Sequence, residues 1–494
     1  MGLLVACGSP APEAREASGP RRVIVVGMDT VRSDHMGFLG HTGGLTPSLD
    51  AVASESVVFE QAWAPAPRTR PSFRSATTGR WPIAGRTAPT LGGLLGSHGF
   101  ETAGFVANVQ LSEQLGFAEG FDTWVLDNMA TADAQVDAAL SWLRERAQAD
   151  VLLSLHLMDP HIFYTPPPPF TDRFTVSTDR QGMPDRYNRM NVIKQEQRGL
   201  LSDAQKRWIQ GRYQGEIAYM DQELGRLVEA VDTLPGETWL IFHSDHGEEF
   251  GERGSWGHAH TLYAEQLRVP LIVSGEGLPQ AQVVEEAVGI QDIAPTIASW
   301  VDQQMPEADG IDLNPAMAGA PVPSRPFPAE TFRFKTRRIS LYEDGRRIEW
   351  DLMRNKQELF DADSDRLEVK NLAKEDKVST AALARRAEEV FGRPWTASVD
   401  GELKVKKGVV LRLGAKSKRK IKAGDDFQVL PYDAATSFTP DAGSAVSGPW
   451  RSTSPPEDGA PIQYNATART AGIELDDATK KMLEQLGYMQ ATDE

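Results

Sequence analysis

The sequence predicts an α/β protein of three layers, α/β/α, around a central and mostly parallel sheet, followed by a smaller α+β region. Three observations carry that expectation. Val23 to Val26 and Leu240 to Phe242 are continuous apolar runs, the pattern of strands covered on both faces by helices. Each run leads into polar residues suited to chemistry: Asp29 closes RVIVVGMD, and Asp245 and His246 close TWLIFHSDH. Between the two runs, Thr69 opens a TRPS turn, and Pro71 fits the first position of a helix through Ser72 to Thr78 that stops at Gly79.

Ligands of parallel sheets bind at the carboxyl ends of the strands. Burying an acid there without a partner is costly, since even an uncharged polar group costs about 2–7 kcal/mol. A divalent cation is the natural partner, so Asp29, Asp245 and His246 form a candidate metal set. One nitrogen among oxygens leans towards Zn or Mn and leaves Mg and Ca open. Thr69 adds a hydroxyl at a helix N-terminus, where backbone N–H groups and the helix dipole favour a phosphate or sulfate oxygen. Coordination to the same metal would make that hydroxyl a usable nucleophile at neutral pH.

A chain of 494 residues with 40% hydrophobic content buries a substantial core and suggests two or more domains. The net charge of −17 excludes general nucleic-acid binding, and no Walker or dinucleotide glycine motif is present. No apolar run approaches the ~20 residues that spanning a membrane needs. The single cysteine, Cys7, excludes internal disulfides and closes Leu4-Val5-Ala6-Cys7, the form of a bacterial lipoprotein processing site. The GSPAPEAREASGP that follows reads as a flexible tether. The segment before Cys7 is too short, and too poor in basic residues, for a complete signal peptide. Residues 1–20 are therefore expected to be a truncated lipoprotein signal and tether. A missed upstream start would make the protein a periplasmic or cell-surface lipoprotein anchored through lipidated Cys7; otherwise it is soluble.

The catalytic domain is expected over 21–320, and the proline-rich PVPSRPFPAE marks the passage to a C-terminal subdomain at 321–393. There RRISLYEDGRRIEWD reads as a hairpin with an Asp-Gly turn. Residues 394–494 are expected to be an appended β-rich and irregular segment. Within it, 401–430 alternates like strands and concentrates lysine and arginine; solvated strand faces are favoured there over a grip on anionic glycan or lipid headgroups. Residues 433–468 read as irregular, and Asp476 to Leu486 as a final helix.

Several stretches together resemble one family: GMDTVRSDHMGFLGH, TPSLDAVASESVVFEQAWAPAP, TRPSFRSATTGRWP, LHLMDPHIFYTPP, RYQGEIAYMDQELGRL, FHSDHGEEFGERGSWGHAH, RVPLIV, GIQDIAPTIASW and ELFDADSDRLEVKNLA. In this order they resemble the sulfatase-like branch of the alkaline phosphatase superfamily, over roughly residues 21 to 375. The resemblance implies that family's α/β/α fold and small C-terminal sheet, a metal held by Asp29, Asp245 and His246, and Thr69 at the place of the Cys or Ser that sulfatases oxidise to formylglycine. Threonine cannot form that aldehyde, because its β-carbon bears a methyl, so no formylglycine is expected. By the same resemblance His161 touches the substrate's anionic oxygen, and His258 of WGHAH protonates or steadies the leaving group, a task suited to imidazole.

The chain departs from the family in ways that bear on substrate. Thr30 stands where sulfatases commonly carry a second acid, and Phe73 replaces the motif arginine. Arg74, Arg70 and Arg68 are the nearby alternatives for gripping the anion. Asn108 falls near the place of a sulfate-gripping lysine, and His156 joins Arg70, Arg74 and Asn108 as a substrate contact. A buried core role for His156 and His260, or a second metal fed by Asp159 and several histidines, are the other uses. His35 and His243 read as structural. Thr nucleophiles with an Asp, Asp, His site occur in the superfamily's phosphodiesterases, phosphonate-cleaving enzymes and phosphoglycerol- or phosphoethanolamine-transferring members. The expected activity is therefore metal-dependent hydrolysis of a sulfate, phosphate or phosphonate ester, small or linked to glycan or lipid, through Thr69. A transferase of the phosphoethanolamine or phosphoglycerol type, and a retired enzyme serving as a surface-binding lipoprotein, are the alternatives.

Overall fold

The computed structural model describes residues 19–391, apart from 83–87, 185–188, 332–335 and 353. Beyond these it describes short strands between Trp395 and Tyr464 and the region of a helix at Asp477–Gln485. Cys7 and most of 394–494, including the basic 401–430 stretch apart from its short strands, lie outside the described residues.

The strands of the main body are β1 (Arg21–Met28), β2 (Val57–Trp63), β3 (Glu101–Val106), β4 (Thr123–Leu126), β5 (Val151–Leu157), β6 (Glu237–Ser244), β7 (Glu249–Phe250), β8 (Trp256–Gly257), β9 (Arg268–Val269), β10 (Leu271–Gly275) and β11 (Gln282–Gly289). The large sheet runs β11-β2-β10-β6-β1-β5-β3-β4, with β9 attached to β2, and β7 pairs with β8 apart from it. Its pairs are parallel except where β10 meets β2 and β6 and where β9 meets β2. β1 and β5 are buried along almost their whole length, because helices cover both faces. Ile24, Val26 and Met28 pack with the helices Ala132–Glu145 and Asp203–Val231 on one side. Val23 and Val25 pack with Leu91–Ser97 and Ile293–Trp300 on the other. The expected three-layer, mostly parallel architecture is the one observed.

The helix that follows the TRPS turn begins at Thr69, not Pro71, and ends at Gly79, whose N–H reaches the Ser75 carbonyl. The earlier start follows from Arg68, which is fully extended and leaves Thr69 as the first helical residue. Pro71 still falls within the first turn, where N–H groups have no intrahelical partner.

A four-stranded antiparallel sheet follows: β12 (Phe327–Thr331), β13 (Arg338–Glu343), β14 (Arg346–Asp351) and β15 (Lys356–Asp361). Asp344 and Gly345 join β13 to β14 with positive φ at both positions, 50° and 73°, the backbone of a two-residue hairpin turn. The helix Lys377–Phe391 covers one face. Arg347, itself buried, forks onto both oxygens of Glu368 and donates to the Leu262 carbonyl at 2.5 Å and to Ser340 Oγ at 2.6 Å. Glu368 in turn accepts the Ala264 N–H at 2.9 Å.

Removing one member of a buried, hydrogen-bonded ion pair leaves the other charge stranded. Arg347→Ala is expected to destabilise the protein by about 3–5 kcal/mol, read as a lowered urea midpoint, whereas Arg346→Ala, at the half-exposed start of the same strand, changes it by less than about 1 kcal/mol.

Candidate active site

β1 and β6 are parallel neighbours with Met28 opposite Ser244, so Asp29 and Asp245 leave the sheet side by side. Both carboxylates and the adjacent His246 imidazole are essentially inaccessible to water, at 0%, 1% and 0% exposure. His246 Nε2 lies 3.6 Å from Asp29 Oδ1 and 3.6 Å from Asp245 Oδ2. These three atoms are buried without a hydrogen-bond partner. Every other polar atom of the set is engaged: Asp29 Oδ2 accepts from Asn108 Nδ2 at 2.8 Å, and Asp245 Oδ1 accepts from the N–H groups of His246 at 2.9 Å and Thr30 at 3.3 Å. His246 Nδ1 sits 2.9 Å from the Gly247 carbonyl; donating there leaves Nε2 with its lone pair turned to the carboxylates, the tautomer of a metal ligand. Two oxygens and one nitrogen, all within 4.8 Å of one another, are a donor set that a divalent cation fits. Among the described residues no second group of three acidic, histidine or cysteine side chains has this spacing, so the second metal considered for Asp159 finds no such set.

The two carboxyls are inequivalent. Burial raises Asp29, but His161, His156 and His246 outweigh it and hold the group below the usual carboxylate range. Asp245 is pushed well above that range, first by burial and then by the charge of Asp29. Burial holds His246 below the usual imidazole range.

Thr69 is 3% exposed, with Oγ1 3.5 Å from Asp29 Oδ2 and 3.4 Å from Asn108 Nδ2. Asn108, predicted as a substrate contact, therefore bridges Asp29 and Thr69. His156 Nε2 approaches the same Asp29 oxygen at 3.4 Å. His161 and His258 are buried with ring centroids 5.0 Å apart, and the His258 ring lies 4.5 Å from that of His246. The structure thus gathers Asp29, Thr69, Asn108, His156, His161, Asp245, His246 and His258 into one cluster.

Arg70 and Arg74 are used differently from expectation. Arg74 donates to the Leu115 and Gly116 carbonyls at 3.0 and 3.2 Å and lies 4.4 Å over the Phe117 ring, while Arg70 Nε donates to Gln110 at 3.0 Å. The arginine whose charge reaches His246 is Arg68. Sequence reading also passed over Glu248. Its carboxylate meets His258 Nδ1 at 3.0 Å and Tyr164 Oη at 2.8 Å; its place two residues after His246 was the one available signal. The neighbouring Glu249 holds His260 at 3.0 Å, which gives that histidine a structural partner.

A family model described as Sulfatase matches residues 21–303, more than half of the chain. The chain belongs to the sulfatase family. The Delta 4,5-hexuronate-2-O-sulfatase of Bacteroides thetaiotaomicron is 23% identical over 441 residues, covering 78% of this chain and 90% of that protein. A low-salt glycan biosynthesis sulfotransferase of Haloferax volcanii is 33% identical over 114 residues, so the match spans only 27% of that relative and 21% of this chain. The phosphonate monoester hydrolase of Silicibacter pomeroyi superposes with a TM-score of 0.60 at 18% identity, over 75% of this chain and 95% of that one. Its fold is the fold of this chain. No helix among the described residues is long and apolar enough to cross a membrane.

Two measurements follow from the site. Each of Mn, Zn, Mg and Ca is added to the full chain, and the cation that fits is expected to stabilise it by about 2.7 kcal/mol at roughly a hundredfold excess over its Kd. Asp245→Asn erases that gain in the melting temperature. Asp159, at the base of the His161 loop, has Oδ2 buried without a partner, and burial, helped by Asp133, raises its carboxyl to about 7. A raised acid contributes stability below the ordinary carboxylate pKa and loses it as pH rises through the folded value. Asp159→Asn should therefore melt at a higher temperature than the native chain at pH 8 and at the same temperature near pH 4.

Proposed function

We propose that the chain is a metal-dependent hydrolase of anionic sulfate, phosphate or phosphonate esters, with Thr69 as nucleophile. The observation that carries this reading is the trio of orphaned atoms, Asp29 Oδ1, Asp245 Oδ2 and His246 Nε2, set beside a buried threonine hydroxyl that shares Asn108 and Asp29 Oδ2. Asp29, Asp245 and His246 would hold the cation. When bound, it supplies positive charge that favours an ionised hydroxyl and the charge gathering on the ester's oxygens.

The chain's own residues account for the remaining steps. Asn108 fixes both the nucleophile and the Asp29 oxygen that faces it. The N-terminus of the helix Thr69–Thr78 favours an anion at that end. Thr69 Oγ1, as the ionised hydroxyl, bonds the tetrahedral centre while the bond to the departing alcohol breaks, and that alcohol leaves with the Nε2 proton of His258. His161 faces the anionic oxygens; water then attacks the centre, gives one proton back to His258 Nε2 and releases Thr69 Oγ1 in its ionised form. Burial of the whole cluster keeps these charges in a low-dielectric setting where each contact counts for more than in water. The comparison proteins named for sulfate and phosphonate esters support both substrate types, and the methyl of Thr69 favours those cleaved without an aldehyde.

Turnover of an aryl sulfate, a phosphate monoester, a phosphodiester and a phosphonate monoester by the metal-loaded full chain tests the reading. Thr69→Ala is expected to lower kcat at least about a thousandfold on whichever ester is cleaved, while Thr69→Ser keeps a measurable fraction. Equal rates for native protein and Thr69→Ala would sink the proposal, and transfer to an added alcohol in place of water would redirect it to a transferase.

A further inference from the structure

We propose that Glu248 is a positioning residue that fixes which nitrogen of His258 serves the ester: Nδ1 keeps its proton in a hydrogen bond to Glu248, so Nε2 is the nitrogen that gives a proton to the departing alcohol and takes one back afterwards. The inference rests on the hydrolytic reading above and adds to it a residue of this chain. Glu248 is fully buried, and an ionised carboxylate only accepts hydrogen bonds. Its Oε1 lies 3.0 Å from His258 Nδ1, a contact that the ionised carboxylate makes attractive only when that nitrogen carries a proton. Its Oε2 accepts the Tyr164 hydroxyl at 2.8 Å, so the carboxylate is held at both ends.

The backbone of Glu248 is held as well, with N–H to the Glu265 carbonyl at 3.1 Å and carbonyl to Arg32 Nη1 at 3.0 Å. Tyr164 is wedged against the rings of Tyr213 and Phe250 at 5.5 and 5.8 Å. The next acid along shows what this arrangement selects. Glu249 holds His260 through Nε2 at 3.0 Å, whereas Glu248 holds His258 through Nδ1. The two histidines of WGHAH are thus gripped by opposite ring nitrogens, and it is the Nδ1-held ring that packs on His161 and His246.

The full metal-loaded chain, carrying 15N-labelled histidine at its nine positions, is examined by long-range proton–nitrogen correlation, with His258→Gln identifying the His258 signals. Nδ1 is expected to be protonated in the native chain. That state persists in Glu248→Gln, whose amide oxygen still accepts, and becomes a mixture of tautomers in Glu248→Ala. Kinetically, Glu248→Ala lowers kcat about tenfold or more with little change in KM, Glu248→Gln recovers most of it, and Glu248→Ala costs nothing further once His258 is already alanine. Finding the proton on Nε2 alone in the native chain would overturn the proposal, as would an undiminished Glu248→Ala effect in the His258→Ala background. Absence of turnover on every ester would refute the hydrolytic reading, and the tautomer measurement would still decide the Glu248–His258 contact.

Discussion

Two carboxylates that leave adjacent strands into a water-free pocket set the terms for everything around them. At an effective dielectric of 20, two like charges 4 Å apart repel by about 4 kcal/mol, and burial adds to that cost. Asp29 and Asp245 resolve the conflict unequally, one held ionised by the surrounding imidazoles and the other pushed towards its neutral form. A divalent cation would remove the conflict altogether, and the three atoms that face one another are left without hydrogen bonds while their partner atoms on the same side chains are all engaged.

Neighbouring residues read as consequences of keeping that geometry. Thr30 takes φ of 60°, a left-handed conformation that costs a β-branched residue roughly 1–3 kcal/mol. In return its N–H reaches Asp245 and its carbonyl accepts the Tyr213 hydroxyl at 2.8 Å. Beneath the site, Gly27 stands in register with His156 on one side and His243 on the other. A Cβ at Gly27 would meet Phe73 at 3.3 Å and His243 Nε2 at 3.6 Å, so glycine is what lets Phe73 close over the strand. Phe73 replaces an arginine expected from the family motif and packs edge-on to His156 at 5.8 Å. Burial pushes His243 down to about 4, so it fills the space as a neutral ring.

What the sequence made legible was whatever depends on the strand. A buried parallel strand must be apolar throughout and must end in its first polar residue at the face where ligands bind, so Asp29, Asp245 and His246 could be named without the fold. Thr69 was legible because it opens a helical turn directly after a turn signal, and Asn108 because of its place in the family resemblance. The arginines were not. A guanidinium at the end of a flexible stem reaches several places from one Cα, and Arg74 settled on the carbonyls of 115 and 116. Glu248 was missed for a related reason: in a run of acids such as HGEEFGE, nothing local says which one is buried against a histidine 10 positions away.

The C-terminal sheet contributes restraint to the site. Between His258 and Tyr263 the backbone runs as a loop, and Ala259 within it takes φ of 76°. Left alone, such a segment would relax, carrying His258 with it. Thr331 Oγ1 donates to the Ala259 carbonyl at 2.8 Å, Arg347 holds the Leu262 carbonyl, Tyr263 Oη reaches Glu358 at 2.7 Å, and Glu368 receives the Ala264 N–H. Three of these four contacts come from strands of the small sheet and the fourth from the loop that follows it. The proposed metal ligands follow strands of the large sheet, and Thr69 opens a helix packed on it. His258 hangs on a loop, and it is that loop which the second unit clamps.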